Sequence, residues 1–287
     1  MSNFVQYTIG NTRVTRLFET SIDIPPDRLY VNWDPEDPNY VKWFSNGAEV
    51  QLKPVTLSVH TWVVESGGQV ALIDTGVGNG KERTFSPAFH RLQTNYIDDL
   101  REIGISPEQV NLVLLTHLHT DHIGWNTYND GTRWVPTFQN AKYVCPKAEL
   151  EFFDTPAAAN RLVIFEDSLR PILERGNFET IADVGGPFGR FTFHPTPGHS
   201  IGHMSISFEE GGARALFTGD TAHHPVQLEN PELTSIFCAD PGRARQSRSW
   251  VIDYGLEHNA TLFTSHFSGT SAGKLKRSGN KVLWDFV

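Results

Sequence analysis

The chain of 287 residues is long enough to bury a sizeable core, and its 39% hydrophobic and 20% charged content excludes a disordered protein. A formal net charge of −9 without a long basic run argues against nucleic-acid and anionic-membrane partners, which need clustered Lys and Arg. There are only two cysteines, Cys145 and Cys238, no stretch long and apolar enough to span a bilayer, and no N-terminal secretory signal. The expectation is a soluble cytoplasmic protein with free thiols.

A hairpin is expected over 7–19, with Gly10-Asn11 at its turn. Residues 22–54 read as an irregular segment rich in proline and aromatics. Its Tyr30, Trp33, Tyr40, Trp43 and Phe44 either roof an apolar pocket or sit at a homodimer interface. Two strands come next, 55–66 and 69–76, joined by Gly67-Gly68. A helix is expected over 89–104, where Leu92, Tyr96, Leu100 and Ile103 share a face and Gly104 caps the end. Residues 111–117 form an apolar run ending in polar residues, as in a buried strand that delivers its last residue to a site.

Helix is expected within 147–175, then three strands over 190–199, 203–210 and 213–220. Asp240 as N-cap and Pro241 at the first position open another helix. A strand over 261–267 and a closing hairpin around Ser278-Gly279-Asn280 complete the order. Helices then cover the outer faces of two stacked sheets, in a single domain spanning 1–287.

The stretch LLTHLHTDHIGWN, residues 114–126, crowds His117, His119, Asp121 and His122 into six positions. Neutral imidazole and carboxylate are the ligands preferred by zinc and similar metals. His117 and His119 are two apart after a strand, so an extended backbone puts both on one side. Asp121 and His122 are adjacent and point differently, which suits a second metal. Further candidates stand at later strand ends: His199 in TPGH, Asp220 in FTGD and His266 in SHF.

Together HLHTDH, TPGH, FTGD, SHF and the IDTG at 73–76 resemble the successive motifs of the metallo-β-lactamase superfamily, in the right order over roughly residues 55 to 270. The resemblance implies a four-layer αβ/βα sandwich with two divalent metals at one edge, zinc first, with manganese, iron or cobalt as alternatives. It implies that His117, His119 and His199 hold one metal, that Asp121, His122 and His266 hold the other, and that Asp220 bridges both. Asp74 is then a buried residue near the ligands, or else an ordinary strand-end turn aspartate.

Two such metals hold a hydroxide at neutral pH that attacks a carbonyl or phosphoryl centre, and Asp121 relays a proton to the leaving group. Aspartate at position 220 does not fit the β-lactamases that carry cysteine there. No helical extension, inserted nuclease domain or flavodoxin domain is visible. The remaining candidates are acyl-homoserine-lactone lactonases, related esterases and methyl-parathion-hydrolase-like phosphotriesterases, which the chain resembles. The expected activity is lactone or carboxylic-ester hydrolysis, with phosphotriester hydrolysis as the alternative and an iron-dependent persulfide enzyme behind it. The tyrosine that one lactonase group sets over the lactone oxygen is not identifiable. Trp125, His223 and His224 are candidate substrate contacts, the two histidines being equally readable as solvated or supporting side chains. His203 is expected to make a structural hydrogen bond.

Overall fold

Alternation of side chains across each strand decides the architecture. The computed structural model describes residues 4–44 and 53–287. The first sheet runs β1 (Phe4–Ile9), β2 (Thr12–Ile24), β3 (Val55–Ser66), β4 (Gln69–Ile73) and β5 (Leu112–Leu114). A separate ribbon of β6 (Thr127–Asn129) and β7 (Trp134–Pro136) intervenes before β8 (Lys142–Pro146) and β9 (Phe178–Ile181) extend the same sheet. The second sheet is β10 (Gly186–Phe188), β11 (Phe191–Pro195), β12 (Met204–Glu210), β13 (Ala213–Phe217), β14 (Thr261–Phe263), β15 (Ala272–Ser278) and β16 (Lys281–Phe286).

Val14, Trp62, Val64, Ile73, Leu114 and Val144 point from the first sheet onto Phe193, Ile206, Phe208, Phe217 and Phe263 of the second. The alternate residues Val63, Leu72, Val113 and Tyr143 point the other way, under Tyr96 and Leu100 of α3 (Tyr96–Glu102). Leu216 and Leu262 of the second sheet likewise meet Val251 and Ile252 of the long outer helix Pro241–Glu257. The result is the expected four layers, helix on sheet and sheet on helix.

The structure corrects several expectations. β2 runs to Ile24, so the irregular segment starts later than 22. It contains α1 (Pro26–Leu29) and α2 (Pro38–Phe44), while 45–52 lie outside the described residues. Tyr30, Tyr40 and Phe44 are buried in a small cluster with Leu29, Val226 and Leu233, and Trp33 stacks on Tyr40 at 4.7 Å. None of them lines the main cavity.

The helix expected over 89–104 shrinks to α3, because Thr94 is held out of helical geometry by Asn79, whose Oδ1 accepts from Thr94 N at 2.8 Å. The helical region within 147–175 is broken into α4 (Lys147–Phe152), a 3₁₀ run Pro156–Arg161, α5 (Leu162–Ser168) and α6 (Arg170–Arg175), with Pro156 and Pro171 at the breaks. α7 (Pro225–Glu229) precedes the outer helix, α8 (Pro241–Glu257), which Asp240 caps by accepting from Arg243 N at 3.0 Å.

The parallel pairings position the site. β4, β5 and β8 run in parallel, as do β13 and β14. Asp74 comes directly after β4, His117 lies just past β5, Asp220 just past β13 and His266 just past β14. Chain leaving the carboxyl ends of parallel strands is free to build a site at that edge. No helix among the described residues is long and apolar enough to cross a membrane.

Candidate metal centre

Beyond Leu114 the backbone leaves the sheet, and Asp74 organises the loop that carries the first donors. Its Oδ1 accepts from Thr116 N at 2.8 Å, and its Oδ2 accepts from the Thr116 hydroxyl at 2.8 Å and from His122 Nδ1 at 2.8 Å. The backbone of Asp74 itself stands at φ 57°, in the left-handed region that few non-glycine residues adopt. The far end of the loop is pinned by Thr75 N donating to His122 O at 2.7 Å and Gly124 N donating to Gly76 O at 2.7 Å. A Cβ on Gly124 would lie 1.8 Å from Val77 O, so only glycine permits this approach.

All seven expected donors come together. The rings of His117 and His119 are 4.6 Å apart, those of His117 and His199 4.8 Å, and His199 Nε2 lies 2.8 Å from His119 Nδ1. Asp220 sits between two groups of imidazoles. Its Oδ2 is 3.2 Å from His199 Nε2 and 2.9 Å from His266 Nε2, and its Oδ1 is 3.3 Å from His122 Nε2. Asp121 Oδ2 is 3.7 Å from His266 Nε2 and 3.8 Å from His122 Nε2. The potential ligand atoms of His117, His119 and His199 lie within 4.8 Å of one another, as do those of Asp121, His122 and His266.

The donor set fits a pair of cations. His117 Nε2, His122 Nε2, His199 Nδ1 and Asp220 Oδ1 are buried without a hydrogen-bond partner. Such groups are costly in a protein interior unless something satisfies them. Burial, and after it the neighbouring imidazoles of His122 and His119, pushes His117 well below the usual imidazole range, so it is a neutral electron-pair donor. Burial lowers His119 to about 3 in the same sense. Burial opposes the charge on Asp220 as well, but His266, His122 and His199 together hold its carboxyl well below the usual range.

His203 acts on Asp220 directly. Its Nδ1 donates to Thr196 O at 3.0 Å, and its Nε2 accepts from Asp220 N at 2.9 Å. His223 is buried beside the donors, 3.6 Å from Asp220 Oδ2 and stacked on His266 at 5.4 Å, with neither ring nitrogen hydrogen-bonded. His224 turns away: its Nδ1 accepts from Val226 N at 3.2 Å, capping α7, and its ring packs on Phe44 at 4.9 Å. It is a helix cap, not a wall of the cavity. Trp125 also faces inward. The 3₁₀ turn Gly124–Asn126 carries it under the loop, where it stacks on Tyr96 at 4.9 Å and donates to Glu19 Oε1 at 2.7 Å.

A cavity of about 640 Å³ opens over the donors. Ile22, Ile24, Leu57, Phe85, Phe89, Ile164, Ile236 and Phe237 form its apolar wall, and Asn160 and Arg161 its polar rim. These wall residues come from five separate segments and carry no common sequence signal. Glu19 and Glu149, both buried and both bonded to the loops around the donors, are equally invisible in the sequence, because isolated acidic residues ordinarily read as solvated surface.

Comparison with known proteins agrees with this architecture. The family model of the metallo-beta-lactamase superfamily matches residues 55–266. An N-acyl homoserine lactonase AttM of Rhizobium radiobacter is 27% identical over 233 residues, covering 77% of this chain and 84% of that protein. The N-acyl homoserine lactonase AiiA of Bacillus thuringiensis subsp. kurstaki is 25% identical over 237 residues, covering 77% and 86%. Among solved structures, the hydrolase AbOPH superimposes with a TM-score of 0.83 at 23% identity, over 100% of this chain and 98% of that one. The dizinc quorum-quenching lactonase AidC superimposes with a TM-score of 0.79 at 19% identity over the same shares. With the family pattern matched across most of its length, the fold shared end to end and the motif histidines and aspartates gathered at one sheet edge, this chain belongs to the metallo-beta-lactamase superfamily.

Proposed function

We propose that the protein is a metal-dependent hydrolase of lactones and related carboxylic esters, with N-acyl homoserine lactones as the substrate class. The observation that carries this reading is the pairing of a seven-donor cluster with a largely apolar cavity directly above it. His117, His119 and His199 would hold one divalent cation, Asp121, His122 and His266 a second, with Asp220 reaching both. Zinc suits this set of neutral imidazoles and carboxylates. Bound there, the cations supply Lewis acidity and an activated water at neutral pH.

The remaining work falls to the chain's own groups. The cavity volume lies in the range of small-molecule sites, and its wall suits an acyl chain. Desolvation of that chain draws the ester carbonyl down to the donors at the floor. His223, which lines the cavity with neither ring nitrogen hydrogen-bonded, carries the N–H that meets the carbonyl oxygen as negative charge builds there. It supplies the donor for which no tyrosine is identifiable. Asp121, half-buried at the cavity floor, takes up the proton that the attacking water loses and passes it to the departing alkoxide. Arg161 on the rim offers a guanidinium to an acceptor group between the acyl chain and the reacting ring. The two free thiols, Cys145 and Cys238, accord with a reducing compartment such as the cytoplasm.

The test is an activity screen over acyl lactones, aryl esters and phosphotriesters, with metal content measured on the same sample. Lactone turnover that tracks two equivalents of metal and vanishes on chelation is the expected result. Faster turnover of phosphotriesters than of lactones, or lactone turnover surviving chelation, overturns the reading.

A further inference from the structure

Two buried carboxylates stand outside the donor set and outside the cavity wall, and each accepts hydrogen bonds from loops that carry donors. Glu149, on α4, is 4% exposed. Its Oε2 accepts from Leu118 N at 3.1 Å and its Oε1 from Gly202 N at 2.7 Å. Leu118 separates His117 from His119, and Gly202 lies between His199 and His203. One carboxylate thus ties the turn bearing two imidazoles of the first set to the turn bearing the third. A Cβ on Gly202 would come 2.9 Å from Glu149 N, so the close approach depends on glycine at that position.

Glu19 does the same on the opposite flank. The register of β2 against β3 breaks between Phe18 and Thr20, so Glu19 is the bulged residue. A bulge re-aims a side chain that the regular ladder would send elsewhere. Here the carboxylate turns inward: Oε2 accepts from Val77 N at 2.6 Å, and Oε1 from Gly78 N at 3.1 Å and Trp125 Nε1 at 2.7 Å. Val77 and Gly78 lie just past the Asp74 turn, and Trp125 closes the loop that holds Asp121 and His122. A Cβ on Gly76 would lie 2.0 Å from Glu19 Oε2, so these segments close around the carboxylate itself.

A fold that needed only packing at these points could use neutral side chains, since a buried carboxylate is costly to desolvate. Backbone amides from two different loops, by contrast, need one acceptor with two oxygens held in fixed relation.

We propose that Glu149 and Glu19 are positioning residues that brace the donor-bearing loops from both sides and so preorganise the cluster for its cations. The proposal rests on the reading of that cluster as a cation site. Both oxygens of each carboxylate accept from a backbone N–H. A glutamine of the same shape must therefore turn an NH₂ against a backbone N–H at each position.

The test measures zinc affinity at a pH of about 8.5, above the range in which Glu19 takes up a proton, by competition with a chelator in wild type, E149Q, E19Q and L100A. Leu100→Ala empties core volume beneath α3 at a side chain that bonds neither carboxylate, and controls for general loss of stability. Supporting groups behind metal ligands typically change affinity by about 10- to 100-fold. E149Q and E19Q are each expected to bind zinc at least about tenfold more weakly than wild type, and L100A within about twofold. A glutamine variant that binds within about twofold of wild type, or that loses no more than L100A, overturns the role of that carboxylate.

Amide hydrogen exchange on wild-type protein keeps the proposal open to refutation if a variant does not fold. The Leu118, Gly202, Val77 and Gly78 amides are expected to be protected before zinc is added. Rapid exchange at these amides, with protection appearing only on adding zinc, would mean that the ion organises the loops, and overturns the proposal. A wild-type protein that binds no zinc fails the reading of the cluster itself, and the proposal with it.

Discussion

Asp74 and His122 form a buried pair in which the Asp74 carboxylate accepts from His122 Nδ1 at 2.8 Å. That bond orients the ring: Nδ1 donates to Asp74, and Nε2 is turned toward Asp220 and Asp121. The pair explains why an aspartate tolerates φ 57° at the end of β4. Its two oxygens serve Thr116 and His122 together, which offsets the local strain. Asp74→Asn keeps a residue suited to the left-handed region but cannot accept all three bonds. It is expected to weaken zinc binding by about 10- to 100-fold with the fold intact by circular dichroism. Unchanged affinity in a chelator competition contradicts this role for Asp74.

Asp121 differs from Asp74 because it borders the cavity as well as the donors. General acid–base help contributes typically about 10²–10⁴-fold to a rate. Asp121→Asn, assayed at saturating zinc, is expected to lower kcat for a lactone by about a hundredfold or more. The measurement pairs kcat with metal content. Full turnover at full occupancy removes Asp121 from proton transfer.

The seven candidate donors are legible because each is announced locally, either by the density of HLHTDH or by an apolar strand ending in a polar turn. The two stacked sheets were legible for the same reason, since Trp62, Val63 and Val64 alternate faces as residues of a strand must. The illegible features were decided at long range. Trp125 stands so close to the donor loop that proximity in sequence suggested a cavity wall, yet the tight turn at Gly124 reverses its direction toward Tyr96. The burial of Tyr30, Tyr40 and Phe44 is not legible because their partners, Val226 and Leu233, lie roughly two hundred positions away. Glu19 owes its orientation to one extra residue in a ladder, which no periodicity reports.

Arg161 lines the rim of the cavity, its guanidinium 5.7 Å above the Phe152 ring, which limits where it can swing. A hydrogen bond from a charged donor contributes about 1.5–3 kcal/mol. Arg161→Met keeps most of the apolar stem and removes the charge. Its KM for an N-acyl homoserine lactone, which carries an amide carbonyl, is expected to rise about tenfold or more. Its KM for an alkyl lactone of matched length without that carbonyl is expected to stay level. Steady-state kinetics on both substrates decide the matter, and an equal rise on both removes acceptor recognition.

Glu19 also makes stability depend on pH. Burial, only partly offset by hydrogen bonds from Val77, Trp125, Gly78 and Thr94, pushes its carboxyl up to about 7 from an ordinary 4.5. Because the folded value is the higher one, the stability linked to this group is fully present below pH 4.5 and is lost as pH rises through 7. The stability of wild type relative to E19Q is therefore expected to fall across that window, by an amount on the order of 3 kcal/mol. Urea denaturation of both proteins at intervals across the window measures it. A difference that stays flat shows that Glu19 does not titrate there.

A buried charge network stands behind the donor loop. Arg83 forms a two-pronged pair with Asp167, Nη1 to Oδ2 at 2.7 Å and Nη2 to Oδ1 at 2.8 Å, and its Nε donates to the Thr120 hydroxyl. Lys81 Nζ stands 3.5 Å from Asp167 Oδ1 and donates to Thr127 Oγ1 at 2.8 Å, with no side-chain exposure. Burial, the largest influence, pulls Lys81 down to about 7 from 10.5, and Asp167 resists that fall. Asp167→Ala removes the one carboxylate serving both cations and leaves Arg83 buried without its counter-charge. Breaking a buried pair in this way costs about 3–5 kcal/mol, far more than an exposed pair would. Glu166→Ala, the adjacent residue whose pair with Arg170 is solvent-exposed, is expected to cost less than about 1 kcal/mol. Urea midpoints of the two variants at pH 7 compare them directly. Because Thr120 immediately precedes Asp121, Asp167→Ala is also expected to lower lactonase turnover at temperatures where it remains folded, whereas Glu166→Ala is not. Equal stability losses in the two variants would show that the network is too well hydrated to behave as a buried one.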